Sequence, residues 1–388
     1  MYKTNGLNCI QCTLIGYMTG SFDLTMEIGI IGLPRSGKTT IFNALTKGNA
    51  TVASYSNNPN IGVAKVPDVR LDALSRMYMP KKTVAAEVVY TEVPPPPDEF
   101  GKTKGIGGDF LNAIQATDAL LIVSRAFIDP SVAHVEDTID SVRDTENMIM
   151  ELNFSDIEIL DRRLNKIEAS FKSAKSVERE SLTKEQDFLE RIKKELSDGK
   201  PLRDQEFSPD ESKNITGFGF LSIKPLIVVI NIGEGQLDKS TEFKKKLSDT
   251  VKGPYTRADV MCAQLEMELG QMGIDEEIDF RKDLGLVESG LNRMVSISYD
   301  VVDQISFFTV GEDEVRAWEI SRGTLAQKAA GRIHSDLERG FIRAEVISYE
   351  ELIECGSLGE ARKRGLLRQE GKDYIVNDGE IMHVLFNV

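Results

Sequence analysis

The chain has 388 residues, enough for two or three domains, and 41% of them are hydrophobic, enough to build real cores. Its 62 acidic against 47 basic residues leave a net charge of −15, which argues against a broad basic surface that grips nucleic acid through phosphates alone and gives no reason to expect a DNA partner. The longest apolar runs, such as LIVVI at 226–230, are too short to cross a bilayer, and four cysteines imply no disulfide framework, so no membrane partner and a cytoplasmic location are expected.

Residues 1–25 carry neither a positive leader nor a continuous apolar core, so they do not read as a signal peptide. They read as an extension ahead of Met26 that need not be native. Cys9 and Cys12 form a Cys-x-x-Cys pair with no second pair to complete a zinc site. From Met26 the pattern alternates: strand EIGIIG (27–32), helix TTIFNALTKG (39–48), strands IGVAKV (61–66) and EVVYTEV (87–93), helix FLNAIQATD (110–118), strand ALLIVSRAF (119–127). After a long interruption, KPLIVVINI (224–232) and ADVMCAQ (258–264) continue the series. Short apolar runs separated by helices predict a mostly parallel sheet covered on both faces.

The interruption, 135–215, is different in kind. Ile157, Leu160, Leu164, Ile167 and Phe171 recur at helical spacing, and Leu182, Leu189, Ile192 and Leu196 do so again after a polar break. Two narrow apolar stripes predict an antiparallel helical hairpin, either a simple packed pair or an arm that contacts a partner. The stretch DGKPLRDQEFSPDES (198–212) reads as a surface loop. Residues 303–388 then give an α+β pattern: ISFFTV (305–310), VRAWEI (315–320), AEVISYEE (344–351) and DYIVNDGEIMHVLFNV (373–388) around a helix-like TLAQKAAGRIHSDLERG (324–340). This unit has 11 basic against 16 acidic residues, so a protein or structured-RNA contact suits it better than a phosphate-gripping role, with Arg362, Lys363 and Arg364 its one basic cluster. His134, His334 and His383 have no metal-ligand spacing; His334, Trp318, Cys262 and Cys355 read as structural residues.

The chemistry lies in two short motifs. Gly32-Leu33-Pro34-Arg35-Ser36-Gly37-Lys38-Thr39, followed by Thr40, matches the eight-residue phosphate-binding (Walker A) loop between a strand and a helix. Its glycines let backbone N–H groups wrap a β-phosphate, Lys38 would reach the β- and γ-phosphates, and Thr39 would ligate Mg²⁺. Asn231-Ile232-Gly233-Glu234 follows the strand KPLIVVI. GTP-specific proteins carry Asn-Lys-x-Asp there; Glu234 is one methylene longer and Ile232 replaces the lysine, so guanine selectivity should be weakened.

The chain resembles the YchF/Obg-like ATPases over residues 26–388, through Gly32–Thr40, Asn231–Glu234, AAGRIHSDLERGFIRAEVISYEELIE and the ending EGKDYIVNDGEIMHVLFNV. The resemblance implies a Ras-like P-loop domain in two parts (26–134 and 216–302), an inserted coiled-coil hairpin (135–215) and a β-grasp, ubiquitin-like TGS domain (303–388). It also implies adenine-preferring hydrolysis and association with ribosomes or translation and stress-response machinery.

The departures bear on mechanism. The family's switch II Asp-x-x-Gly falls on Glu92 and Pro95; Glu92 could still hold Mg²⁺, whereas Pro95 has no N–H to offer a γ-phosphate. Pro94 to Pro97 stiffen the segment toward polyproline II. Switch I is reduced to SYSNNPN (54–60), leaving Thr51 and Ser56 as substitutes for its threonine. Cys262-Ala263-Gln264 stands for the family's base-flanking Ser-Ala-Lys, and Arg35-Ser36 for its Asn-Val, with Arg35 either a transition-state cation or a solvated residue. Three readings follow: a slow Mg²⁺-dependent ATPase that also admits GTP, a nucleotide-gated adaptor without useful hydrolysis, and an RNA-binding module with a vestigial P-loop.

Overall fold

The computed structural model describes residues 26–46, 59–94, 108–131, 138–286 and 288–387. Among them the chain runs β1 (Glu27–Ile31), α1 (Lys38–Leu45), β2 (Asn60–Lys65), α2 (Val69–Tyr78), β3 (Lys82–Val84), β4 (Glu87–Glu92), α3 (Gly108–Ala116), β5 (Ala119–Arg125) and the long helices α4 (Ser141–Ser170) and α5 (Ser176–Ser197). There follow α6 (Pro209–Ile215), β6 (Leu226–Asn231), α7 (Ser240–Thr250), β7 (Thr256–Met261), α8 (Ala263–Leu269), α9 (Ile274–Asp283) and α10 (Gly290–Val301). The last stretch holds β8 (Gln304–Val310), β9 (Glu314–Ser321), α11 (Ala326–Ile333), α12 (Ser335–Arg339), β10 (Phe341–Ser348), α13 (Tyr349–Cys355), α14 (Leu358–Lys363), β11 (Arg368–Glu370) and β12 (Glu380–Phe386). Two compact units emerge, one from residues 27–62 and 90–291, the other from 63–89 and 292–388.

The first unit is an α/β fold around a six-stranded sheet of order β2-β4-β1-β5-β6-β7, in which β1, β5, β6 and β7 pair in parallel. ALLIVSR and LIVVIN are buried at every position, the pattern of strands covered on both faces. Register puts Arg125 opposite Asn231 and Asn231 opposite Met261. The loops leaving β5, β6 and β7 therefore emerge side by side at the carboxyl edge of the sheet, where open α/β sheets hold their ligands.

Helices α4 and α5 have a core of their own. Leu160, Ile167, Phe188, Leu189, Ile192 and Leu196 are buried together, with Ile157, Leu164, Phe171 and Leu182 packed beside them. Arg163 pairs with Glu185 at 2.6 Å and Lys193 with Asp161 at 2.5 Å across the two helices. The stretch 198–212 is only partly the surface loop its composition predicts. Leu202 and Phe207 complete the hairpin core, Arg203 and Gln205 are buried, and Ser208 and Glu211 cap α6 in a reciprocal box. Arg203 and Gln205 donate to backbone carbonyls, while Asp198, Lys200, Glu206, Ser208 and Asp210 stay exposed.

The second unit has a six-stranded sheet of order β11-β10-β12-β8-β9-β3. Here β3, from residues that read in sequence as part of the nucleotide-binding half, pairs in parallel with β9. Ile305, Phe307, Ile320, Ala326, Ala329, Val346 and Met382 form its core, with Trp318 partly buried against it. Three expectations shift. The tract 324–340 breaks at His334, whose extended backbone (φ −165°, ψ 144°) ends α11 and whose Nδ1 accepts from Asp336 N at 3.2 Å to cap α12. The strand in AEVISYEE stops at Ser348, which caps α13 with Glu351. Within 373–388 the strand is confined to Glu380–Phe386.

Candidate functional site

Residues 32–37 turn sharply out of β1 into α1. Gly37 sits at φ 92°, and a Cβ there would lie 2.2 Å from Asn231 Nδ2; a Cβ on Gly32 would lie 2.5 Å from the Val123 carbonyl oxygen. Only glycine fits either place. Lys38 is buried, and its Nζ donates to the carbonyls of Gly32 at 2.9 Å and Leu33 at 3.0 Å, so the ammonium lies folded over the loop that would hold phosphates. Burial lowers its pKa to about 8, with the carboxylate of Glu92 acting in the opposite direction.

Thr39 and Glu92, the two residues expected to hold Mg²⁺, lie side by side. Thr39 Oγ1 donates to Glu92 Oε1 at 2.5 Å, and Asn60 Nδ2 donates to Glu92 Oε2 at 2.8 Å. Glu92 ends β4 almost fully buried, while Thr39 lies exposed at the start of α1. A hydroxyl and a carboxylate oxygen side by side, next to a phosphate-binding loop, are hard donors that suit a small divalent cation sharing its remaining positions with phosphate and water. Thr40 follows on α1, half-buried.

Asn231 holds two loops at once. Its Nδ2 donates to the Ser36 carbonyl at 3.2 Å, and its Oδ1 accepts from Ala263 N at 3.1 Å. Its amide keeps one further N–H and one further lone pair for other partners. Ile232 points into the core of the first unit, whereas Glu234 is exposed on a 3₁₀ turn. Cys262 is buried at the start of α8, and burial raises its thiol pKa. The Gln264 side chain donates to Glu268 one turn further along α8. Arg35 is exposed with a left-handed backbone, φ 64°, and the Ser36 hydroxyl is buried without a hydrogen-bond partner among the described residues. Leu33 and Pro34 line the back of the loop with Val123 and Met148. Pro95, Thr51 and Ser56 lie outside the described residues.

Three neighbours escaped the reading of the sequence. In the sequence Asn60 is marked only as the end of a shortened switch I. Gln236 braces the loop after β6, accepting from Gly233 N at 2.8 Å and donating to the Ala126 carbonyl at 3.1 Å; its position three residues after Gly233 is a capping signal. Phe127, just beyond β5, lies against both loops, 3.7 Å from a Cβ placed on Gly37 and 3.6 Å from one placed on Gly233. The Arg125 guanidinium stacks on its ring at 4.5 Å.

Comparison with known proteins bears on the whole chain. Residues 27–155 match a family model described as 50S ribosome-binding GTPase, and residues 304–387 match the C-terminal model of YchF GTPases, described as a protein of unknown function. The ribosome-binding ATPase YchF of Bacillus subtilis is 36% identical over 370 residues, 94% of this chain and 100% of that protein. The chain belongs to the YchF family. The ribosome-binding ATPase YchF of Escherichia coli O157:H7 is 34% identical, covering 93% of this chain and 99% of its own. The solved structure of the Schizosaccharomyces pombe YchF GTPase superposes with a TM-score of 0.80 at 30% identity, over 93% of this chain and 98% of that one. As in its YchF relatives, the first unit is an α/β fold with a P-loop GTPase domain, a nucleotide-binding architecture. No helix among the described residues is long and apolar enough to cross a membrane.

Proposed function

We propose that this YchF protein is a slow, Mg²⁺-dependent ATPase that also admits GTP and acts in the cytoplasm on ribosomes or a translation-associated partner. The observation that carries this reading is the convergence of Lys38, Thr39 and Glu92 at the carboxyl edge of the first sheet. Lys38 would release the Gly32 and Leu33 carbonyls and turn to the β- and γ-phosphates, while loop amides and the N-terminus of α1 hold the β-phosphate. Thr39 and Glu92 would hold Mg²⁺, which supplies charge neutralisation at the phosphates. Phe127 offers an apolar face to a purine beside Gly37. Asn231 keeps the phosphate and base loops in register, with the segment around Ile232 and Glu234 and the loop of Cys262, Ala263 and Gln264 flanking the base. The relatives named as ribosome-binding ATPases support the activity and the partner. The α4–α5 pair would serve as the inserted coiled-coil arm, and the C-terminal unit as the TGS domain, both as docking elements.

A second reading is favoured by Pro95, which stands at the switch II glycine and has no N–H for a γ-phosphate. The protein would then bind nucleotide as an adaptor gate without useful turnover. Single-turnover hydrolysis of Mg-ATP and Mg-GTP, run beside binding titrations on the full chain and Lys38→Ala, separates the two. Cleavage abolished in Lys38→Ala establishes the ATPase; tight binding without cleavage establishes the adaptor. Loss of nucleotide binding altogether in the intact chain overturns both.

A further inference from the structure

We propose that Asn60 is a positioning residue that fixes the carboxylate of Glu92 for the cation site, an inference that rests on the reading of Thr39 and Glu92 as Mg²⁺ holders. Glutamate has one more rotatable bond than the aspartate of the family pattern, and its terminal torsion is broad and nearly two-fold. A carboxylate on such a stem presents a given oxygen in a given direction only when both oxygens are held. In this chain they are. Thr39 Oγ1 donates to Oε1 at 2.5 Å and Asn60 Nδ2 donates to Oε2 at 2.8 Å, with Glu92 nearly buried between them.

The two contacts differ in what a cation would do to them. Thr39 has one hydroxyl, and a metal on its oxygen takes the lone pair and turns the proton away, which ends or redirects its donation to Oε1. Asn60 donates to the other oxygen and has no reason to move. It stands at the first residue of β2, a strand that neighbours β4, where Glu92 is the last residue. A carboxamide on one strand end thus holds a carboxylate on the next, leaving Oε1 aimed at the hydroxyl that opens α1. The sheet supplies the rigidity, and the amide adds no charge to the site. Partners that orient a metal ligand in this way are worth roughly 10- to 100-fold in metal affinity.

The test is ATP affinity of the full chain, measured by calorimetry in excess EDTA and in excess MgCl₂. The ratio of the two affinities is the Mg²⁺-dependent gain. Asn60→Ala should leave the EDTA affinity within about twofold of wild type and reduce the gain roughly tenfold or more. The paired swap Asn60→Gln with Glu92→Asp, which moves one methylene from the acid to the amide, should recover part of the gain that Asn60→Ala loses. A gain of wild-type size in Asn60→Ala overturns the positioning role and leaves the Mg²⁺ reading intact. Equal losses of affinity with and without Mg²⁺ also overturn it, since they mark a merely structural residue. Should Asn60→Ala not fold, Asn60→Ser, whose hydroxyl is too short to span the contact, is judged by the same ratio. A wild-type chain with no Mg²⁺-dependent gain overturns the cation-site reading and this inference with it.

Discussion

Asn231 Nδ2 donates to the carbonyl of Ser36 at 3.2 Å, so a residue at the end of β6 fixes the crown of the phosphate-binding loop. The same side chain accepts from Ala263 N at 3.1 Å, which makes it the common anchor of the phosphate-binding loop and the loop after β7. Asn231→Ala removes both bonds and leaves a buried N–H and a buried C=O unpaired. Each orphaned group costs about 1–3 kcal/mol, so a destabilisation of roughly 2–6 kcal/mol is expected by urea denaturation. Nucleotide affinity should fall as well, because the loop loses its register before any phosphate arrives. A variant with wild-type stability would show that Gly37 and Lys38 hold the loop unaided.

Lys38 gives the site a pH signature. Its ammonium titrates at about 8 in the nucleotide-free protein, lowered from 10.5 chiefly by burial. Between those values the folded chain binds fewer protons at this site than the unfolded chain, so stability rises with pH across the window, and the cost of the buried charge is present in full below it. Bound phosphates restore the charge. ATP affinity in EDTA should therefore be level below about pH 8 and fall toward tenfold per unit above it, with proton uptake on binding. Lys38→Met should bind weakly with no such bend. A wild-type profile level to pH 10 would contradict the burial of a charged lysine.

Two residues of the loop itself are costly. Arg35 holds φ 64°, a backbone region where asparagine is several-fold enriched over long side chains, and Ser36 buries a hydroxyl with no partner among the described residues. Arg35→Asn should relieve about 0.5–1 kcal/mol of backbone cost, set against the loss of the arginine side chain's own interaction. Ser36→Ala should raise it by about 1 kcal/mol by removing an unsatisfied polar atom without adding volume. Differential scanning calorimetry of the nucleotide-free protein reads both. A drop in melting temperature for Ser36→Ala would reveal a partner for its hydroxyl.

How much of this was legible beforehand follows from how each signal is encoded. The P-loop is contiguous and its glycines are sterically obligatory, so its place between β1 and α1 could be read directly. The buried strands ALLIVSR and LIVVIN were visible as apolar runs because both of their faces are covered. Glu92 could be placed beside Thr39 only through the family register, since 53 residues separate them. Asn60 and Phe127 could not be found at all, because their roles depend on which strand ends lie side by side. The segment 198–212 misled for another reason. Arg203 and Gln205 look like loop residues, yet they are buried as partners of backbone carbonyls, a use of polarity that composition does not distinguish from solvation.

Asp156, on α4, joins the helical pair to the sheet. Its fully buried carboxylate accepts from Leu221 N at 2.8 Å and Ser222 N at 2.7 Å, just ahead of β6, and the buried guanidinium of Arg203 donates to the Ser222 carbonyl at 3.0 Å. Burial raises the Asp156 pKa to about 6 from 3.8, against the pull of those hydrogen bonds and of Arg203. A carboxyl raised in the folded state binds more protons there than in the unfolded chain. Its favourable contribution is therefore complete below pH 3.8 and lost as pH rises through about 6, amounting to about 3 kcal/mol. Asp156→Asn abolishes that dependence, but it turns an N–H donor toward a backbone donor and removes one of the two carboxylates, the other being Asp204, that offset the buried charge of Arg203. Removing one partner of a buried charge pair costs about 3–5 kcal/mol, and the relieved desolvation of Asp156 offsets part of it. A net loss of roughly 1–3 kcal/mol at pH 7, growing as pH falls toward 4, is expected from urea denaturation across that range. Protection of α4 amides in hydrogen exchange should fall with it, since the carboxylate is the tie between that helix and the turn entering β6. Unchanged protection would mean that the apolar core around Leu160, Phe188 and Leu202 fixes the helical pair without the carboxylate.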